Sequence, residues 1–166
     1  MMDEYFSAMS VYVYDIICNE SSLSVRPGLS WIDDKMIGLF ATKDIEEEEI
    51  IDSYKGRLMR TAEALGLKEK SYLMRLGEQK YIDAANSPFC LARYINDCRN
   101  SAGYNVKFIK APENNLALVV CLRKIRRGEE IFVDYGKWYW LGCSFSSIRL
   151  SFRELNKRRE IAYCYS

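Results

Sequence analysis

Apolar residues in this chain recur in short runs bounded by Gly, Pro, Asn or Asp, rather than in long stripes at helical spacing. Such runs are the signature of short strands. They predict strands over residues 12–17, 37–41, 50–54, 71–76, 80–83, 105–109, 116–121 and 131–133. Asn114-Asn115 between two of these runs is a hairpin signal, and Gly77-Glu78 marks another turn. Ser21-Ser22 and Pro27-Gly28 punctuate the chain before Trp31 and place the start of the main fold near Ser24. The acidic run at 46–49 reads as a solvated turn.

Two segments depart from this pattern. Residues 61–69 have helical composition, with Thr61 placed to cap the first turn. From Ser144 onward Ile148, Phe152 and Leu155 fall at i, i+4 and i+7, which predicts an amphipathic helix, and Arg149, Arg153 and Lys157 line an adjacent, solvated face. Between the strands, 91–96 is short and apolar, and 97–104 is a polar loop containing Gly103. The pattern is that of a mainly β domain with short helices and a closing C-terminal helix.

Composition narrows the chemistry. With 166 residues and 49% hydrophobic content the chain can bury one ordinary core, so a single compact domain is expected. A formal net charge of +1 supplies no global attraction to nucleic acid or to a membrane, and none is expected as a direct partner. The chain has 0 histidines, which excludes Ser-His-Asp and Cys-His nucleophiles and His-ligated metals. The 6 cysteines include no C-x-x-C pair, so they read as buried thiols, with no metal site expected. Residues 1–20 are broken by Asp3, Glu4 and Asp15 and have no basic leader, which suits neither a signal peptide nor a membrane span. A non-secreted protein is expected, nuclear or cytoplasmic, with the nucleus favoured.

Three stretches carry more information than composition. The first is Lys35-Met36-Ile37-Gly38-Leu39-Phe40-Ala41, followed by Tyr54-Lys55-Gly56; the second is Ala92-Arg93-Tyr94-Ile95-Asn96-Asp97-Cys98; the third is Gly128-Glu129-Glu130-Ile131-Phe132-Val133-Asp134-Tyr135-Gly136. In this order they resemble the G-x-G-L-F-A, A-R-F-I-N-H-S and G-E-E-L-x-F-D-Y-G motifs of SET-domain protein-lysine methyltransferases. The resemblance implies a β-clip-like fold of small curved sheets, in which the second and third motifs cross as a pseudoknot. It also implies S-adenosylmethionine as methyl donor and, as substrate, a protein or peptide lysine such as one in a histone tail.

Residue by residue, Tyr135 is similar to the tyrosine whose hydroxyl lies beside the transferred methyl group. Tyr72 is similar to a second tyrosine bordering the lysine channel, though packing at a sheet edge explains it equally well. Backbone groups of Ile37, Gly38, Leu39 and Phe40 would contact the donor, and Asn96 would bind its amino-acid part. Arg93 would pair with the donor carboxylate or buttress the loop. Asp97 would contribute through its backbone, in the place where the family has histidine. Trp140, in an aromatic run that could equally anchor the closing helix, would border the adenine or the channel. Val133 stands where the family tunes the number of methyl groups added, and that number stays open.

Methyl transfer to an amine needs alignment and a neutral nucleophile more than proton machinery, which suits a chain without histidine. Met36 replaces the first entry glycine, and the cysteine-rich segment that often follows the family's domain is missing. These readings divide the chain into an extension (1–23), a SET domain (24–141) and a helical segment closing the site (142–166). The competing reading is a catalytically silent SET-like module that binds peptide or protein.

Overall fold

The computed structural model describes residues 23–141 and 149–164. The expected strand at 12–17, the helical onset at Ser144, Ile148 and the side chain of Trp138 lie outside the described residues. In order the elements are β1 (Val25–Leu29), β2 (Ile37–Ala41), β3 (Ile50–Tyr54), β4 (Arg57–Arg60), α1 (Thr61–Gly66), β5 (Leu73–Gly77), β6 (Lys80–Asp83), a 3-10 turn (Leu91–Tyr94), β7 (Val106–Ala111), a second 3-10 turn (Pro112–Asn114), β8 (Leu116–Cys121), α2 (Lys137–Leu141) and α3 (Phe152–Cys164).

The strands form three small antiparallel sheets, ordered β1-β2, β3-β8-β7 and β4-β6-β5. Strand β8 is central because Leu-Ala-Leu-Val-Val-Cys is apolar throughout, and all of its residues are buried. Period-2 alternation divides them. Ala117, Val119 and Cys121 enter the main core with Leu39, Ile45, Ile51 and Ile125, whereas Leu116, Leu118 and Val120 pack on the other face with Ala111. A third cluster, Cys98, Phe132, Leu150 and Leu155, docks α3 beside the segment that carries Asn96 and Asp97. Cys90, Cys98 and Cys121 are buried free thiols.

Several expectations need correction. Pro27-Gly28 does not punctuate the chain; it lies inside β1, with Pro27 opposite Leu39 and Gly28 opposite Gly38. β1 is an edge strand, where a missing N–H can face away from the ladder. The cap of α1 is Arg60 rather than Thr61, with the Glu63 carboxylate accepting the Arg60 N–H at 3.1 Å. Ser71 and Tyr72 belong to a turn, and β5 begins at Leu73.

No ladder strand forms at 131–133, because successive residues bond different neighbours. Ile131 N–H donates to the Leu39 carbonyl, Phe132 N–H to the Asn105 side chain and Val133 N–H to the Asn96 carbonyl. In α3 the buried face is Leu155 with Arg159 and Ala162 half-buried, while Phe152 is 61% exposed at the first turn. Ser151 caps that turn. Its hydroxyl accepts the Glu154 N–H at 3.3 Å, and Glu154 accepts the Ser151 N–H at 2.9 Å. Arg149, Arg153 and Lys157 are exposed, as expected of a solvated face.

Candidate active site

The three motifs meet in one place. The 3-10 turn that carries Arg93 is tied to β3 by Asp52, whose buried carboxylate accepts the Ala92 and Ser53 N–H groups, both at 2.6 Å. Burial raises that carboxyl to about 6 against the two hydrogen bonds. Beyond the turn, Asn96 lies parallel to Phe132. Asn105 locks the same crossing: its side chain donates to the Glu130 carbonyl at 2.9 Å and accepts the Phe132 N–H at 2.8 Å.

Tyr135 follows directly. Its hydroxyl donates to the Ile95 carbonyl at 2.6 Å, and its ring packs edge-on against Tyr139 at 4.6 Å and offset-stacked on Trp140 at 6.1 Å. Desolvation raises the phenol well above its ordinary range, and the neighbouring Tyr139, Tyr54, Asp97 and Tyr72 add to the effect. Tyr135 therefore keeps its proton at neutral pH. With that proton committed to Ile95, the oxygen can offer only lone pairs to anything beside it.

Asp97 does more than the sequence suggested. Its side chain is 5% exposed and gathers four donors. One oxygen accepts the Arg99 N–H at 2.7 Å and the Tyr104 hydroxyl at 2.8 Å; the other accepts the Tyr135 N–H at 3.1 Å and the Trp140 indole N–H at 2.8 Å. This acidic side chain thus fastens Tyr135 and Trp140 together. Arg99 covers Trp140 with its guanidinium 4.6 Å from the ring centre.

Asn96 lies on the other side of Asp97. Its amide nitrogen donates to the Ile37 carbonyl at 2.9 Å and shares its second hydrogen between Ser30 Oγ and Glu130 Oε1, both at 3.3 Å. Glu130, 1% exposed, also accepts the Ser30 hydroxyl at 2.7 Å and the Trp31 N–H. Burial raises its carboxyl to about 7 despite those donors. Gly38 has a local reason to be glycine, since a Cβ there would collide with the Glu130 carboxylate. The buried serine and glutamate beneath Asn96 had no distinguishing signal in the sequence beyond the second Glu of Gly-Glu-Glu.

Of the remaining entry-loop residues, Ile37 is 45% exposed, while Leu39 and Phe40 are buried. Strand β2 is flanked by β1 and by residues 129–131, so the backbones of Leu39 and Phe40 serve the fold. Arg93 does not reach the Asn96 network; its guanidinium lies 4.2 Å from the Tyr72 ring centre and 5.3 Å from that of Tyr94. Its buried Nε has no hydrogen-bond partner among the described residues. Tyr72 offers its carbonyl to the Tyr54 hydroxyl at 2.6 Å.

A cleft of about 1420 Å³ opens on this site, with Tyr135, Tyr139, Tyr54, Val133, Ile95 and Arg93 in its wall. Tyr54 and Tyr139 were not singled out in the sequence as lining residues. Tyr54 was visible only as the first residue of Tyr-Lys-Gly, and desolvation raises its phenol far above the ordinary range.

The sheets and the crossing of these segments define a class, and the comparisons agree with it. The SET domain family profile matches residues 36–136, more than half of the chain, and the chain belongs to that family. Among curated proteins it is 35% identical over 107 residues to the histone-lysine N-methyltransferase trr of Drosophila melanogaster, a match covering 60% of this chain and 4% of that protein. It is 34% identical over 110 residues to the H3 lysine-36 specific histone-lysine N-methyltransferase of Eremothecium gossypii, covering 61% of this chain and 16% of that one. Among solved structures, the methyltransferase domain of human PR domain-containing protein 2 superposes with a TM-score of 0.55 at 23% identity, covering 78% of this chain and 84% of that domain. The likeness to these relatives is therefore to one small part of each curated protein, and the likeness to the solved domain is one of fold.

Proposed function

We propose that this chain is an S-adenosylmethionine-dependent protein-lysine N-methyltransferase, acting on a histone or another protein, with the nucleus as its place of action. The observation that carries the reading is Tyr135, protonated, its hydroxyl hydrogen held by Ile95 and the residue itself in the wall of a cleft of about 1420 Å³. The division into an extension, a domain at 24–141 and a closing segment is part of the proposal. Among the described residues no helix is long and apolar enough to cross a membrane.

The residues around Asn96 fit the amino-acid part of the donor. Asn96 spends its amide hydrogens on the protein, yet among the described residues its side-chain oxygen accepts nothing and can take an ammonium. Ile37 and Gly38 border it through the Ile37 carbonyl, and the Asp97 backbone follows directly. Trp140, held by Asp97 against Tyr135, offers an aromatic wall. When bound, the donor supplies an electrophilic methyl group on a sulfonium.

The other tasks fall to the protein. A free lysine has a pKa of about 10.4, so its ammonium must lose a proton before it can attack. The apolar walls of Tyr54, Val133, Ile95 and Tyr139 disfavour the charged form. Tyr135, being a proton-committed phenol, acts as an acceptor that orients the amine and makes weak contacts to polarised C–H groups. It is no general base. Arg93 and Tyr72 brace the wall as a stacked pair.

The test is labelled-methyl transfer to protein substrates, core histones and acidic lysine-containing proteins among them, by wild type and Tyr135→Phe, with donor binding measured by calorimetry. We expect donor binding to survive the substitution while transfer falls on the order of a hundredfold, about 3 kcal/mol in the barrier. Undetectable donor binding, with no methyl transferred to any protein, would leave the silent binding module as the correct reading.

A further inference from the structure

The cleft that ends at Tyr135 has an uneven charge. Its lining includes the cations Lys68, Lys70, Arg75, Arg93, Lys107 and Lys110 against the acids Glu69 and Asp134, in a chain whose net charge is only +1. The ion pairs among the described residues lie away from the cleft: Arg57 with Glu63, Lys43 with Glu49, Lys124 with Asp44 and Glu46, and Arg123 and Arg159 with Glu129. Among the described residues none of the six cleft cations lies in an ion pair. Arg93 even keeps a buried Nε without an acceptor among those residues. Lys110 is pushed down by burial and by the adjacent Arg75, as expected where like charges crowd. The two acids offset only part of that charge. Glu69 is engaged by the Ser71 N–H and hydroxyl, and Asp134 by the Gly136 N–H.

We propose that the cleft beside Tyr135 takes a lysine set in an acidic stretch of protein, with Glu or Asp residues on either side meeting these cations. The inference rests on the methyltransferase reading for the fate of that lysine, but not for the binding itself. A lysine in a basic tail would bring its neighbours against six unpaired cations, and like charges at an interface act as a barrier to the wrong partner. The occupant is a polypeptide rather than a nucleic acid, because Leu65, Leu73, Met74, Phe108 and Leu122 lie among the cations. The two sheets also turn their edge strands, β5 and β7, to the cleft. Apolar side chains set among cations suit an extended peptide. A phosphate backbone needs a continuous basic track instead.

Fluorescence anisotropy on the full chain tests this with three labelled probes: a short peptide with a central lysine flanked by Glu and Asp, its counterpart flanked by Lys and Arg, and a DNA duplex of comparable length. We expect the acidic peptide to bind about tenfold or more tightly than the basic one at low salt, with the gap closing as salt is added. Two charge reversals on separate elements, Lys107→Glu with Lys110→Glu and Lys68→Glu with Lys70→Glu, guard against a variant that merely misfolds. Each should narrow or invert the preference. Equal or tighter binding of the basic peptide, tighter binding of DNA, or indifference to both reversals would overturn the inference. Methyl transfer to basic-flanked lysines without preference would overturn it while leaving the proposed activity in place. Tight acidic-peptide binding with no methyl transfer would do the opposite.

Discussion

Asp97 shows how one buried side chain can organise a corner of the fold. Its four donors come from three separate stretches, the loop at 99–104, Tyr135 and α2, and each bond to a buried carboxylate is charge-assisted. In Asp97→Asn the shape is kept, but the new amide nitrogen must face N–H donors: those of Tyr135 and Trp140 in one orientation, that of Arg99 in the other. Losing bonds to a charged acceptor while leaving donors unpaired should cost on the order of 3 kcal/mol. Denaturant unfolding of the variant against wild type measures it. A change below about 0.5 kcal/mol would mean that the carboxylate is not the organiser of this corner.

The other buried carboxyl near the site gives stability a pH dependence. Glu130 has a folded-state value of about 7 against an ordinary 4.5, raised by burial. A group with a raised value favours the fold most when protonated. Its contribution is fully present below the unfolded value and is lost as pH rises through about 7. At about 1.4 kcal/mol per pH unit the difference is worth roughly 3 kcal/mol. Asp52, raised to about 6, works in the same direction. Unfolding free energy should therefore fall from about pH 5 to about pH 8, and Glu130→Gln should flatten most of that slope, leaving the smaller part due to Asp52. A wild-type slope of the opposite sign would refute the assignment.

Among the elements, α3 is the one whose attachment is most local. Leu155 supplies an apolar contact, Arg159 donates to the Ala102 carbonyl at 3.3 Å, and Glu129, 2% exposed, supplies further polar ones. It accepts the Tyr163 hydroxyl at 2.6 Å and lies 3.1 Å from Arg123 and 3.6 Å from Arg159. Arg126 stacks on the Tyr163 ring at 4.6 Å. Because Glu129 precedes Glu130 in the third motif, the helix is fastened to the same segment that leads to Tyr135. Tyr163→Phe keeps the ring and removes one hydrogen bond to a buried charge, at a cost of about 2 kcal/mol confined to this element. Hydrogen exchange should report it as faster opening of α3, with β7 and β8 unchanged. Equal acceleration in the central sheet would show that the helix is not a separate unit.

The 3-10 turn and the segment around Phe132 were harder to anticipate at this scale. Both read as short apolar runs, and both satisfy their backbone groups through long-range partners: Asp52 for Ala92, and Leu39, Asn96 and Asn105 for residues 131–133. Periodicity carries no information about such partners. The hairpin of β7 and β8 was legible because its pairing is local and its turn residues stand between two apolar runs.

For the whole molecule, the motif order was enough to assign the family and the mainly β architecture, and to propose Tyr135, Asn96 and Gly38 as residues of one site. Short-range chemistry decided those: strand runs, turn residues and consecutive motif positions are all written in neighbouring letters. Folding decided what happens between distant letters. That Asp97 is a four-donor hub, that Gly38 makes room for Glu130, that Ser30 sits beneath Asn96, and that six cations scattered from residue 68 to residue 110 line one cleft depend on which segments cross. A net charge of +1 cannot reveal a cleft with a sign of its own, because acidic residues elsewhere cancel the sum. Interactions over dozens of residues are set by burial and three-dimensional packing, and these exist only once the chain has closed on itself.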